Sequence, residues 1–495
     1  MARTVIHAGN QIQTIINYKL DTNNNFFYKM KLKNYLLAGT ALVALSFMAA
    51  CSEDETIQNE NNTENPGGND GGDETNEDII VWPGDTIANL TNHYTVPEGK
   101  TLIIKAGAKV IVSTAGVGAN HAPIEFTVKG NLYCEGTAEN PVLFSVPEDE
   151  RTEENALAGL WGGIVATSTC GEMLIDHTII EYTGGQVIEG SPAASAGIYT
   201  AGDDAYPQIT TNNINGRYVI TNSVLRNGWS DGIYLMGGNA IIANNIFAAN
   251  GYDGAEAVNV KAGCVVDVAG NVMFSPNTNG LKLSSSGQSE DRGMAKIQAY
   301  NNTIINAGWR RDGEKGGCVY VEKNAFANVF NNLMVNCKFR AMTPSYDLPN
   351  NPDEGYCSES VIDYNYYASG TQKSNVVFED ESGVAYSWEG YAYAHKNYYE
   401  GVVDANSIIT KTASDCAAND PKFVNFPIND VALTDYIYQD AWDFHVQAGS
   451  PVLAGAYDGT GTKMAPYFGT EGLQVNGQTY TSPKVEARFG AYGTK

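Results

Sequence analysis

Asn222-Ser-Val-Leu-Arg-Asn-Gly-Trp229, Asn245-Ile-Phe-Ala-Ala-Asn-Gly251, Asn271-Val-Met-Phe-Ser275, Asn302-Thr-Ile-Ile-Asn-Ala-Gly-Trp309 and Asn332-Leu-Met-Val-Asn336 are one phrase written five times. The leading asparagines stand 23, 26, 31 and 30 residues apart. A second phrase follows the first three copies by about ten residues: Gly232-Ile-Tyr-Leu235, Gly254-Ala-Glu-Ala257 and Gly280-Leu-Lys-Leu283. Cys318-Val-Tyr-Val321 is a looser copy after the fourth. Self-similarity at such a period marks a solenoid, a propeller or an array.

Each unit holds two or three short β-rich runs separated by Gly, Asn and Asp, with no helical stripe between them. One turn of three short strands plus bends fits this length, so each repeat is expected to be one coil. Longer steps are then coils with an inserted loop, as at Trp309-Arg-Arg-Asp-Gly-Glu-Lys-Gly316. The pattern resembles the right-handed parallel β-helix of the pectin-lyase-like superfamily. The resemblance implies an all-β solenoid capped at both ends, with a ladder of asparagines at one bend. Its members would be Asn222, Asn245, Asn271, Asn302 and Asn332, with His177 before them and Asn365 after. Stacking suits such amides, because a buried one left unpaired costs roughly 1–3 kcal/mol.

With 495 residues and 43% apolar content the chain can bury a large core, coil on coil. Its net charge is −26. Residues 1–50 contribute +4 (five Lys or Arg against Asp21), so the remainder carries −30. Such an acidic chain will not hold nucleic acid through its phosphates. The eight cysteines form no CxxC, and the six histidines form no HxH or HxxxH. Among the cysteines, Cys337 and Cys357 flank a loop and are the pair expected to bridge, with Cys264 and Cys318 as strand fillers. No cysteine has the setting of a nucleophile.

The N-terminus reads as an address. From Met30, the expected true start, a basic segment Met-Lys-Leu-Lys precedes the apolar run 36–50 and then Cys51. This is the layout of a signal peptide rather than a spanning helix. Phe47-Met-Ala-Ala-Cys51 resembles a lipobox with Met48 in place of the usual Leu, which implies lipidation of Cys51. The Ser52-Glu-Asp-Glu55 that follows resembles the acidic tag of Bacteroidetes-type lipoproteins displayed on the outer membrane. Residues 1–50 are therefore expected to be the signal region and 51–78 an acidic tether. The β-helix is expected over 79–369 and loop-rich coils with a cap over 370–495. The "GTAENPVLF" turn at 136–144 and Trp161-Gly-Gly-Ile164 resemble the opening of surface β-helix lipoproteins. Asn419-Asp-Pro-Lys-Phe423 and Phe489-Gly-Ala-Tyr-Gly493 resemble their closing segment.

Strand alternation directs Ile198, Ile233, Ala255, Leu281 and Val319 inward, and Tyr199, Tyr234, Glu256, Lys282 and Tyr320 outward. These five outer residues are expected to form a stripe bordered by Trp229 and Trp309. Three functions compete for it. A glycan-binding or adhesive face would stack sugars on Tyr199, Tyr234, Tyr320, Trp229 and Trp309, with Glu256 as a polar contact. A polysaccharide lyase, as the resemblance implies, would use Lys282 as base, its pKa lowered by neighbouring cations. Arg226, Arg310, Arg311 or Arg340 would then steady a uronate carboxylate. No cofactor is fixed by the residues; calcium is the ion this reading carries, held by Asp231, Asp253 and Glu256. A glycoside hydrolase of the polygalacturonase type is weaker, since Asp203-Asp204 is the only DD and neither GHG nor RIK occurs. Glu256 and Lys282 could also simply pair on the surface. The sequence thus points to a surface lipoprotein handling carbohydrate, membrane-bound through its lipid alone, with binding placed ahead of cutting.

Overall fold

The structure, a computed structural model, describes residues 77–252, 254–311, 316–338, 342–344, 357–372, 377–379, 385–387 and 405–495. Short strands follow one another in threes, and every third strand pairs in parallel with the one before it. Three long sheets result. The first has nine strands, from Ile79–Trp82 to Phe326–Phe330; the second has eleven, from Ile87–Leu90 to Ile408–Ile409; the third has nine, from Tyr94–Val96 to Met342–Pro344. This is the expected right-handed parallel β-helix, one coil per repeat.

Register stacks like on like. On the first sheet Ile104, Cys134, Ile175, Ile220, Ile242, Val268 and Ala299 lie in one inward column, each fully buried. Burying an aliphatic side chain of this size contributes about 1.5–3 kcal/mol, so the columns supply most of the driving force for stacking. At the N-terminal end Trp82, Tyr94 and Phe126 pack ring against ring and plug the core; Tyr94 and Phe126 stack at 4.9 Å.

The ladder runs through Asn245, Asn271, Asn302, Asn332 and Asn365. Each Nδ2 donates to the next Oδ1 at 2.9–3.0 Å, and that same Oδ1 also accepts the preceding asparagine's backbone N–H. Asn222 and His177 are one residue out of place. Ser223 and Thr178 hold those rungs, Ser223 donating its N–H to Asn245 Oδ1 and Thr178 donating its own to Ser223 Oγ. Asn222 and His177 instead adopt left-handed backbone (φ 51° and 44°), as do Asn244, Asn301, Asn331 and Tyr364 directly before the later rungs. Asn tolerates that conformation better than most residues, so the bend recruits Asn twice for separate reasons.

Two outer faces are covered by the C-terminal residues. Over the first sheet, a hairpin of Leu473–Val475 and Gln478–Tyr480 lays Leu473 and Val475 on Tyr133, Leu174, Val219 and Ile241. Asp267 pins this segment by accepting the N–H groups of Tyr467 and Phe468 and the Ser482 hydroxyl. Over the second sheet, Phe274 meets Phe426, Tyr438 and Trp442, with Val272, Leu333 and Val335 in the same cluster. The cap therefore wraps two sides of the prism as well as following its last coil. The disulfide joins Cys318 to Cys337, with Cα atoms 5.9 Å apart, not Cys337 to Cys357, which is free. Between Cys318 and Cys337 the chain passes through one first-sheet and one second-sheet strand and returns beside Cys318, whereas the Cys357 N–H bonds Ala325 O at a different bend. Cys51 and the whole N-terminal address lie outside the described residues.

Candidate functional site on the third sheet

The third sheet presents the outward row Thr127, Val165, Thr210, Tyr234, Asn259, Lys282 and Tyr320. Tyr234, Lys282 and Tyr320 stand where the sequence places them. Tyr199 and Glu256 do not, and neither do Ile198 and Ala255. Loop insertions displace the second phrase, so the true strands are Ile209–Thr211 and Val258–Val260. Both corrected residues still reach the row from its margin. Tyr199 shares a hydrogen bond between its hydroxyl and Thr210 Oγ1 at 2.6 Å, and its ring lies 6.3 Å from that of Tyr234. Glu256 sits at the bend before its strand, with Asp231 at the same bend one coil earlier.

These two carboxyls form the chemical centre of the face. Asp231 is 7% exposed and Glu256 6%. Asp231 Oδ1 accepts the Glu256 N–H at 2.6 Å, and the two carboxyl groups share a side-chain hydrogen bond. Glu256 further accepts from Asn259 Nδ2 at 3.0 Å and Asn279 Nδ2 at 3.1 Å. Burial, then the Glu256 charge, holds the Asp231 carboxyl well above the ordinary range. Asn259 Oδ1, buried on the row, has no hydrogen-bond partner among the described residues.

Two ammonium groups lie on the open side of this pair. Lys282 Nζ is 3.6 Å from Glu322 Oε1 and 6.0 Å from the Tyr320 ring centroid; Lys261 Nζ is 5.2 Å from the centroid of Tyr234. Burial pulls Lys282 down, but the carboxylates of Glu256, Glu322 and Asp231 outweigh it and hold its ammonium above the usual lysine range. The condition placed on Lys282 as a base is thus reversed. Burial, then the charge of Lys282, lowers Lys261 instead. Lys261, Glu322 and Asn259 went unremarked in the sequence; once the register is right, Asn259 falls on the row itself and Lys261 and Glu322 stand two residues beyond it.

Trp229 borders the face. It is half-buried and stacks at 6.1 Å (26°) on Tyr252, which is 62% exposed, so the pair forms an aromatic ledge two residues before Asp231 on one coil and four before Glu256 on the next. Tyr252 was also missed. Trp309 is buried, its Nε1 donating to Asn336 O, and offers no ring to a ligand. Arg310 spends its guanidinium on Ser275 Oγ and the carbonyls of Asn250, Gly251 and Ser275. Burial lowers it to about 10. Arg226 belongs to the second sheet, paired with Glu181 at 2.7 Å and with Asp440 at 3.6 Å. Neither arginine joins Lys282. Asp253 and Arg340 lie outside the described residues.

Calcium does not fit what is present. A hard cation wants several free oxygens, whereas Asp231 and Glu256 bond each other and two amides. No group of three or more His, Cys, Asp or Glu able to hold a metal occurs among the described residues. No described helix is long and apolar enough to cross a membrane. Searches of family models, curated proteins and solved structures found no match for the chain. The described residues form a right-handed parallel β-helix solenoid with a polar, aromatic-edged outer surface on its third side.

Proposed function

We propose that this is a cell-surface lipoprotein of the Bacteroidetes type, anchored through lipid on Cys51, whose third-sheet face binds carbohydrate for capture or adhesion. One observation carries the reading. The stacked Trp229–Tyr252 ledge stands beside a row of buried hydrogen-bonding groups, on the one long sheet whose face the C-terminal cap leaves uncovered among the described residues. Sugars are recognised by that pairing of a flat apolar surface with fixed polar partners. In affinity electrophoresis through alginate, pectin, chondroitin sulfate or heparin, at least one polysaccharide should retard the protein. Trp229→Ala should weaken that retention about tenfold, the equivalent of roughly 1.4 kcal/mol. Free migration in every gel would overturn the proposal.

A second reading, a lyase acting on a uronate-containing glycan, is favoured by the lowered Lys261 amine between a phenol and a second lysine. In that reading Lys261 takes the proton and Lys282, held cationic, faces the substrate carboxylate. Ultraviolet absorbance of an unsaturated uronate product, read on the same polysaccharides with and without calcium, distinguishes the two. A rise abolished by Lys261→Ala would replace binding by cutting.

A further inference from the structure

We infer that residues 184–206 form an end wall, and that the face they border reads the terminus of a glycan chain rather than its interior. The inference rests on the glycan-binding reading above.

The outward row opens along the solenoid axis. Thr127, Val165 and Thr210 are all buried, whereas beyond them Tyr234, Lys282 and Tyr320 are half-exposed, with Asn259 buried between. The cause is the segment that connects the second-sheet strand Thr178–Glu181 to the third-sheet strand Ile209–Thr211. It folds back over the earlier coils, seating Val187, Ala193 and Tyr206 on Val165 with Ile198 and Tyr199 beside them.

The wall is fastened from beneath. Glu125 is fully buried at the edge of the row; its Oε2 accepts the Ala193 N–H at 2.8 Å and the Tyr206 hydroxyl at 2.7 Å, and its Oε1 accepts Thr127 Oγ1 at 2.6 Å. A carboxylate buried this way is costly unless its partners are fixed, so the segment it holds is a built part of the surface. At the rim, Tyr199 bonds Thr210 and meets the rings of Tyr206 and Tyr234 edge-on at 6.2 and 6.3 Å.

A linear polymer lying along Tyr320, Lys282, Asn259 and Tyr234 crosses three inter-coil steps of about 4.8 Å each and then runs into the Tyr199 ring. An interior stretch of chain would have to climb over the wall and leave the row. A terminus fits against it.

The test compares intact alginate, pectin, chondroitin sulfate and heparin with partial hydrolysates of equal mass, as competitors of retention in the gels. For the polysaccharide that retards the protein, potency per unit mass should rise in proportion to the number of chain ends. Tyr199→Ala, which lowers the rim, should erase that dependence. Tyr199→Phe, which keeps the ring and loses only the hydroxyl, should preserve it. Retention with no gain on hydrolysis would overturn the end wall while leaving glycan binding intact. Absence of retention by all four would overturn both.

Discussion

Single residues carry this fold's unusual energetics where a charge is buried without a cation beside it. Asp267 is fully buried under the C-terminal segment and bonded by two backbone N–H groups and a serine hydroxyl, all neutral donors. Burial raises its pKa from 3.8 to about 6 against those donors. For a carboxyl with a raised folded pKa, the associated stability is present below the unfolded value and lost as pH rises through the folded one. Unfolding free energy should therefore fall between pH values of about 4 and 6, by up to roughly 3 kcal/mol from this group. Urea denaturation across that range should show the slope in the wild type and a flatter profile in Asp267→Asn. Parallel profiles would place the effect elsewhere. The same balance separates the two lysines of the third sheet: three carboxylates outweigh burial at Lys282, and burial prevails at Lys261.

Among the structural elements, the ladder shows how the solenoid is specified and how far its sequence could be read. Asn302 accepts from Asn271 twice and donates to Asn332 Oδ1 and to Val268 O, so it closes hydrogen bonds on three coils. Asn302→Ala should cost roughly 1–3 kcal/mol or more, because it strands buried donors and acceptors on both sides. A urea midpoint unchanged by this substitution would mean that the rung is replaceable. The rungs from Asn245 to Asn365 were legible because a buried amide in a repeating bend has few alternatives. Asn222 and His177 misled because the left-handed residue before each rung also favours Asn, and one coil uses Ser223 as its rung. The stripe failed in the same way at Glu256 and Tyr199. A loop insertion preserves the look of a Gly-x-x-x phrase while moving the strand a few residues on. Tyr252 could not be found by spacing at all, since its role comes from the Trp229 ring on the neighbouring coil.

Taken whole, the molecule spends its C-terminal residues on two sides of a three-sided prism and a loop on part of the third. The first sheet's apolar column, Tyr133 to Ile241, and the second sheet's aromatic cluster around Phe274 are both sealed by residues 405–495. The outer face left beside Tyr199 gathers two acids, two lysines and an aromatic ledge from three successive coils. Such a surface forms only when the solenoid is stacked in register, so fold and site are coupled. Hydroxyl-radical footprinting of the whole protein, with and without each of the four polysaccharides, tests this coupling most directly. Trp229, Tyr252, Tyr234 and Tyr320 should be protected jointly by the polysaccharide that retards the protein, with Ile79, Val81 and Ile87 at the first coil unchanged. Protection confined to that first coil or to the C-terminal cap, with the third-sheet residues still fully oxidised, would contradict it.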